Sequence, residues 1–133
     1  MGLVVESDMW KLAERSGVKL KLGSCSGCGE VYMSAITASE LLVGVEHAST
    51  AQRRGLRGAF VENVLSIITV LEFSMFVART HERIVAALSN DLIAGAHDAV
   101  IAATAIDYRY AVLTRNTADF KMFAGLKVET FHL

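Results

Sequence analysis

Gly95-Ala96-His97-Asp98-Ala99-Val100-Ile101-Ala102-Ala103, followed closely by Tyr110-Ala111-Val112-Leu113-Thr114, is the stretch on which the reading of this chain turns. Asp98 heads a helix of small residues over Ala99–Tyr108, and the second run reads as a strand. A helix joined to a strand by so short a connection is half of a parallel α/β unit. Outward from it the same alternation repeats. Leu3-Val4-Val5 reads as a short buried strand, and Ser7 to Arg15 as a helix with Met9, Trp10 and Ala13 inward, ended by Gly17. Val18 to Leu22 alternates apolar and basic residues and suits either a continued helix or a brief strand. Val31–Ile36 is a second strand, and Thr37–Ala48 is a helix with its apolar residues Leu41, Leu42, Val45 and Ala48 spaced by one, three and three. A helix carrying Arg53, Arg54 and Arg57 runs on to Val64, and Ser66–Leu71 is a third strand. Ser74 caps a helix from Met75 to about Ser89, with Phe76, Val77, Ile84, Val85 and Leu88 on its apolar face. Lys127–Phe131 closes the series as a fifth strand. This succession predicts an α/β fold: one domain over residues 1–133, a mostly parallel sheet of about five strands, and helices on both faces.

Bulk properties narrow the function classes. A chain of 133 residues with 53% hydrophobic and 20% charged content can bury a real core and is not disordered. Its formal charge of −1 gives no field that attracts nucleic acid by itself, so any such contact rests on a local patch. No apolar run reaches the roughly 20 residues needed to cross a bilayer. Met1-Gly2-Leu3-Val4-Val5 turns acidic at Glu6 and lacks the basic start of a secretory leader, so a cytoplasmic protein without membrane attachment is expected. Cys25 and Cys28 form a lone C-x-x-C among glycines, with no second pair to complete a four-ligand zinc site. The glycine spacing fits neither a dinucleotide loop nor a P-loop. This segment is read as a loop.

Four acids stand at the ends of the apolar runs. Glu6 closes the first strand, Glu40 follows the second, Asp98 heads the small-residue helix, and Asp119 comes shortly after the fourth strand. In a parallel α/β sheet, ligands bind in the crevice beyond the carboxyl ends of the strands. Carboxylates gathered there repel one another, and a divalent ion is the usual remedy. Singly, each has an ordinary explanation. Thr37-Ala38-Ser39-Glu40 matches a capping box, Asp98 suits a helix N-terminus, and Asp119 falls in the turn Asn116-Thr117-Ala118-Asp119. Glu6 is harder to dismiss, because it ends what should be a central strand. Four coincidences at one edge of one sheet weaken the ordinary account.

With those residues in view, the chain resembles a PIN-domain ribonuclease of the VapC toxin type along nearly its whole length. Three stretches carry the likeness in the right order: Ser34-Ala35-Ile36-Thr37 with Glu40 and Gly44, Ile93 to Ala105 around Asp98, and Leu113-Thr114-Arg115-Asn116 with Asp119-Phe120. The resemblance implies metal-binding, catalytic carboxylates at Glu40, Asp98 and Asp119, with Asn116 a related candidate and Thr114 a polar neighbour. At the end of the first strand the family normally has Asp, and here Glu6 keeps the charge on a longer arm; Asp8, two residues on, matches a position that is often polar. A homodimer and a cognate VapB-type antitoxin are also implied.

The chemistry expected is hydrolysis of an RNA phosphodiester with Mg²⁺ or Mn²⁺, since a cluster of carboxylates suits a hard cation. Ser7, Ser34 and Thr114 are expected to orient waters or carboxylates around the site. Positive charge for the RNA backbone is expected from Arg115, ahead of Arg53, Arg54 and Arg57. Trp10, Phe60, Phe73 and Phe76 are read mainly as core, with some left to line a groove for a partner helix. A second reading keeps the fold but drops efficient cleavage, because of Glu6, and leaves a module that binds antitoxin or RNA. A receiver domain is disfavoured, since it needs a phosphorylatable Asp where this chain has Glu72-Phe73.

Overall fold

Val4 and Val5 point to opposite faces of strand β1 (Leu3–Val5), as neighbours in a strand must, and each belongs to a separate apolar cluster. This computed structural model describes residues 2–16, 30–89 and 94–130. The Cys25/Cys28 loop and the Val18–Leu22 stretch lie outside those residues. After β1 come α1 (Ser7–Ser16), β2 (Val31–Ser34), α2 (Ala35–Glu46), α3 (Ala51–Ile67) and β3 (Thr69–Leu71). The second half holds α4 (Met75–Ala86), α5 (Ala96–Tyr108), β4 (Ala111–Thr114), α6 (Thr117–Lys121) and β5 (Lys127–Thr130). The five strands form one sheet in the order β3-β2-β1-β4-β5, and every pairing is parallel.

Winding outward from β1 in both directions puts the helices on both faces. Val5 packs with Met9, Trp10, Leu41, Val61 and Val64, which come from α1, α2 and α3. Val4 and Val112 pack with Val77, Ile84, Ala102 and Phe120, which come from α4, α5 and α6. Helix α5 owes its position to its composition. Ala99, Ala102, Ala103 and Ala105 are at most 3% exposed, so the helix lies close against its neighbours, as only short side chains permit. Thr104 satisfies its buried hydroxyl by donating to the Val100 carbonyl at 2.8 Å.

Several boundaries differ from the sequence expectation, each for a local reason. Helix α2 starts at Ala35, because the Ser34 hydroxyl accepts from the Ile36 N–H and ends β2 there. The apolar run Val31–Ile36 is therefore not all strand. The capping box at Thr37–Glu40 is overturned, since both residues lie inside α2, and Ser34 serves as its cap rather than as a support for the acids. Helix α3, capped by Thr50, runs to Ile67 and leaves only Thr69–Leu71 to β3. Helix α4 begins at the Ser74 cap as expected, but Phe76 is 75% exposed and Val85 is also on the outside. Asp119 sits in α6 rather than in an open turn.

Packing around α5 leaves no room for growth. Substituting Ala102→Leu inserts three carbons at a fully buried position and should destabilise the fold by about 1–3 kcal/mol in chemical denaturation. An unchanged midpoint would contradict the close packing described.

Candidate active site

Strand order reverses between β1 and β4, which makes their carboxyl ends the switch point of the sheet. Glu6 and Thr114 stand there side by side. The Glu6 N–H donates to the Leu113 carbonyl at 3.2 Å, and the Thr114 hydroxyl donates to Glu6 Oε1 at 3.2 Å. Both side chains are buried, Thr114 completely and Glu6 to 4% exposure. Burying a carboxyl without a cation disfavours its charged form. Burial, followed by the charge of Asp8, pushes the Glu6 pKa from 4.5 up to about 7, with a smaller push from Asp98; the Thr114 hydroxyl and the Asp8 backbone N–H pull the other way.

The other acids reach this point from separate elements. Asp98 lies in the first turn of α5, where the helix dipole favours an acid. Gly95 gives it room, since a Cβ there would come within 3.1 Å of Asp98 Oδ2. Burial raises the Asp98 pKa, and so do the charges of Asp119, Glu40 and Asp8, while His97 opposes the shift. One carboxyl thus feels acids from α1, α2 and α6 at once, and Asp98 in turn acts on Glu6.

Glu40, half-buried on α2, accepts from the Ser7 hydroxyl at 2.8 Å, and its Oε1 lies 3.3 Å from His97 Nδ1. Asn116 ties the β4 end to α1: its side-chain amide donates to Asp8 Oδ2 at 2.9 Å, and its backbone N–H donates to the Thr114 hydroxyl at 2.9 Å. Asp119 and Arg115 are exposed. Among the described residues, no three acidic, histidine or cysteine side chains converge on a single point as they stand. Two of the acids are instead turned to neighbours, Glu40 to Ser7 and His97, and Asp8 to Asn116.

Sequence reasoning assigned no role to His97. Its signal was its place beside Asp98. It also ranked Asp8 as an accessory, whereas Asp8 raises both Glu6 and Asp98. Arg53 and Arg54 take the ordinary role: Arg53 donates to Ser49 Oγ, and Arg54 to the Glu46 carbonyl at the end of α2.

The sequence model of the PIN domain matches residues 12–126. The chain is 39% identical over 131 residues to ribonuclease VapC1 of Rickettsia felis, an alignment covering 98% of this chain and 96% of the relative. It is 37% identical over 134 residues to ribonuclease VapC of Rickettsia bellii, covering 100% and 98%. Among solved structures, its fold is similar to VapBC2 from Rickettsia felis bound to a DNA fragment from their promoter, with TM-score 0.88 at 20% identity, covering 99% of this chain and 100% of that one. FitAcB from Neisseria gonorrhoeae gives TM-score 0.73 at 25% identity, covering 96% of each chain.

Folding raises the Glu6 pKa, so its contribution to stability is present below about 4.5 and is lost as pH climbs towards about 7. A shift of that size corresponds to at most about 3 kcal/mol. In metal-free buffer, Glu6→Gln should match the parent near pH 4.5 and exceed its stability at pH 8, with a flatter slope between. Parallel stability curves for the two proteins, measured by urea unfolding across that range, would contradict the burial argument.

Proposed function

The chain belongs to the PIN-domain family, among its VapC members, and on that premise we propose that it is the ribonuclease toxin of a type II toxin–antitoxin pair, hydrolysing RNA phosphodiester bonds with a carboxylate-held Mg²⁺ or Mn²⁺. One observation carries the reading: Glu6, just after β1, and Asp98, in α5, both have raised pKa values, Glu6 from burial and the charges of Asp8 and Asp98, and Asp98 from burial and the charges of Asp119, Glu40 and Asp8. Such mutual repulsion costs stability, and a site that binds a cation recovers it.

The donor set fits a hard ion. Glu6, Glu40, Asp98 and Asp119 offer carboxylate oxygens, Asn116 adds an amide oxygen, and no thiolate stands among them. Glu40, Asp98 and Asp119, with Glu6 from the first strand, would hold the ion, and Asn116 would assist. Bound there, it supplies a water that ionises near neutral pH and offsets charge on the phosphate. The remaining work falls to the chain. Thr114 fixes the Glu6 carboxyl by its hydrogen bond, Ser7 and His97 fix Glu40, and Asn116 fixes Asp8. Arg115, next to Thr114 and exposed, would meet the RNA backbone. No serine, cysteine or histidine nucleophile is required.

The buried Glu6 favours a second reading, a weakened module that binds RNA or antitoxin without efficient cleavage. An extra methylene where relatives in this family normally use Asp suits the strict geometry of Mg²⁺ poorly. As partners we propose a VapB-type antitoxin and a second copy of this chain. Exposed apolar residues such as Leu42, Val43, Phe73 and Phe76 support an uncovered contact surface. Action on cytoplasmic RNA agrees with the described helices, none of which is long and apolar enough to cross a membrane.

The deciding experiment incubates the protein with a structured RNA and Mn²⁺. Cleavage should appear, stop with EDTA, and fall in Asp98→Asn by more than the roughly 10- to 100-fold that loss of a supporting contact costs. Absent cleavage by the parent, with cleavage gained in Glu6→Asp, selects the second reading. No cleavage by either form sinks the nuclease assignment. Mn²⁺ should also raise the melting temperature of the parent at pH 8 and fail to do so in Asp98→Asn.

A further inference from the structure

Glu40 borders a second recess besides the acidic crevice. This cleft, of about 140 Å³, is lined by Lys11, Glu14 and Arg15 of α1, by Glu40 and Gly44 of α2, and by Arg57 of α3. Its character is opposite to that of the crevice, with three cationic side chains against two acids. Arg57 is fixed in place, since Nε donates to Glu14 Oε1 at 3.1 Å and Nη1 to the Gly44 carbonyl at 3.0 Å. Glu14 is thereby occupied by Arg57. Lys11 and Arg15 are exposed, stand four residues apart on one side of α1, and have no ion partner among the described residues. Arg15 suits the last turn of its helix, where the dipole favours a cation, but Lys11 has no such reason to be there.

A nuclease with an acidic crevice repels the polyanion it must cut, so positive potential is needed where the strand enters or leaves. Arg53 and Arg54 are turned to Ser49 and to the Glu46 carbonyl, and neither lines the recess that Glu40 borders. The Lys11–Arg15 cleft supplies that potential, because Glu40 is a wall of this cleft and its carboxylate lies 3.3 Å from His97, the neighbour of Asp98 on α5. We propose that Lys11 and Arg15, backed by the fixed Arg57, form a subsite for a backbone phosphate of the RNA flanking the bond that is cut. The subsite rests on the nuclease reading for its substrate, and it acts by binding alone. Its contacts go to phosphate and not to bases, so it strengthens binding across sequences without selecting among them.

The test measures binding of a labelled single-stranded RNA by fluorescence anisotropy across a series of KCl concentrations, with Ca²⁺ as the divalent ion and RNA integrity followed on a gel. The variant is Lys11→Gln with Arg15→Gln. Its control is Arg79→Gln with Arg83→Gln, an exposed pair of the same spacing and charge on α4, across the sheet. We expect the α1 variant to bind several-fold more weakly and its log–log salt slope to shrink by about 0.7, the loss of one neutralised phosphate on a single strand. The control should keep the parent slope, and Mn²⁺ affinity by calorimetry should be the same in all three proteins. Parent-like slope and affinity in the α1 variant, or an equal loss in the control, overturn the subsite, as does failure of the parent to bind RNA. Weakened capture of an antitoxin with RNA binding unchanged overturns it in favour of a protein contact. RNA bound by the parent but left uncut in Mn²⁺ sinks the nuclease reading, while the salt slope still decides the subsite.

Discussion

A carboxyl group buried at the seam between two halves of a sheet sets the terms for this molecule. Glu6 ends β1, the central strand, and its backbone and side chain are both tied to the end of β4, through Leu113 and Thr114. A charge in that position is disfavoured by burial and by Asp8, and its pKa rises to about 7. The group is therefore balanced between protonated and charged forms near neutral pH, and whatever places positive charge beside it decides which form prevails. Asp98 shares this condition, raised by burial and then by the charges of Asp119, Glu40 and Asp8.

The scaffold exists to bring these groups from distant points of the chain to one place. Parallel strands end at the same edge of the sheet, so residues that follow them gather there regardless of their separation in sequence. Close approach is the further requirement, and α5 meets it with alanines. A helix of larger residues would stand farther from the sheet and carry Asp98 away from Glu6, whose pKa its charge raises. Opposed to the acids are fixed donors: Ser7 and His97 on Glu40, Thr114 on Glu6, and Asn116 on Asp8. Glu6, Glu40 and Asp8 thus have their orientation limited by a neighbour, which reduces the reorganisation needed when a ligand arrives.

Cationic residues illustrate how position divides one residue type between roles. Arg53, Arg54 and Arg57 form one run in sequence and look alike there. In the fold, Arg54 and Arg57 reach the last carbonyls of α2, at Glu46 and Gly44, and Arg57 also binds Glu14. Only Arg57 lines the cleft that Glu40 shares, beside Lys11 and Arg15, whose separation from it along the chain exceeds forty residues.

The alternation of apolar runs with helical periods determined the class of fold, since a strand buried on both faces and an amphipathic or small-residue helix each leave a distinct pattern. Glu6, Asp98 and Asp119 stood out as candidates for the same reason, because they interrupt those patterns near the ends of apolar runs, whereas Glu40 lies within α2. Local ambiguities were settled elsewhere. Ser34 ended β2 before Ile36 and Thr37, since a cap hydroxyl acts at a distance of two residues that apolar content does not report. His97 on Glu40 and Asn116 on Asp8 were decided by tertiary structure alone, as was the exposure of Phe76. Periodicity records which face of an element is buried; which side chain meets which is fixed by how elements from distant parts of the chain come to rest against one another.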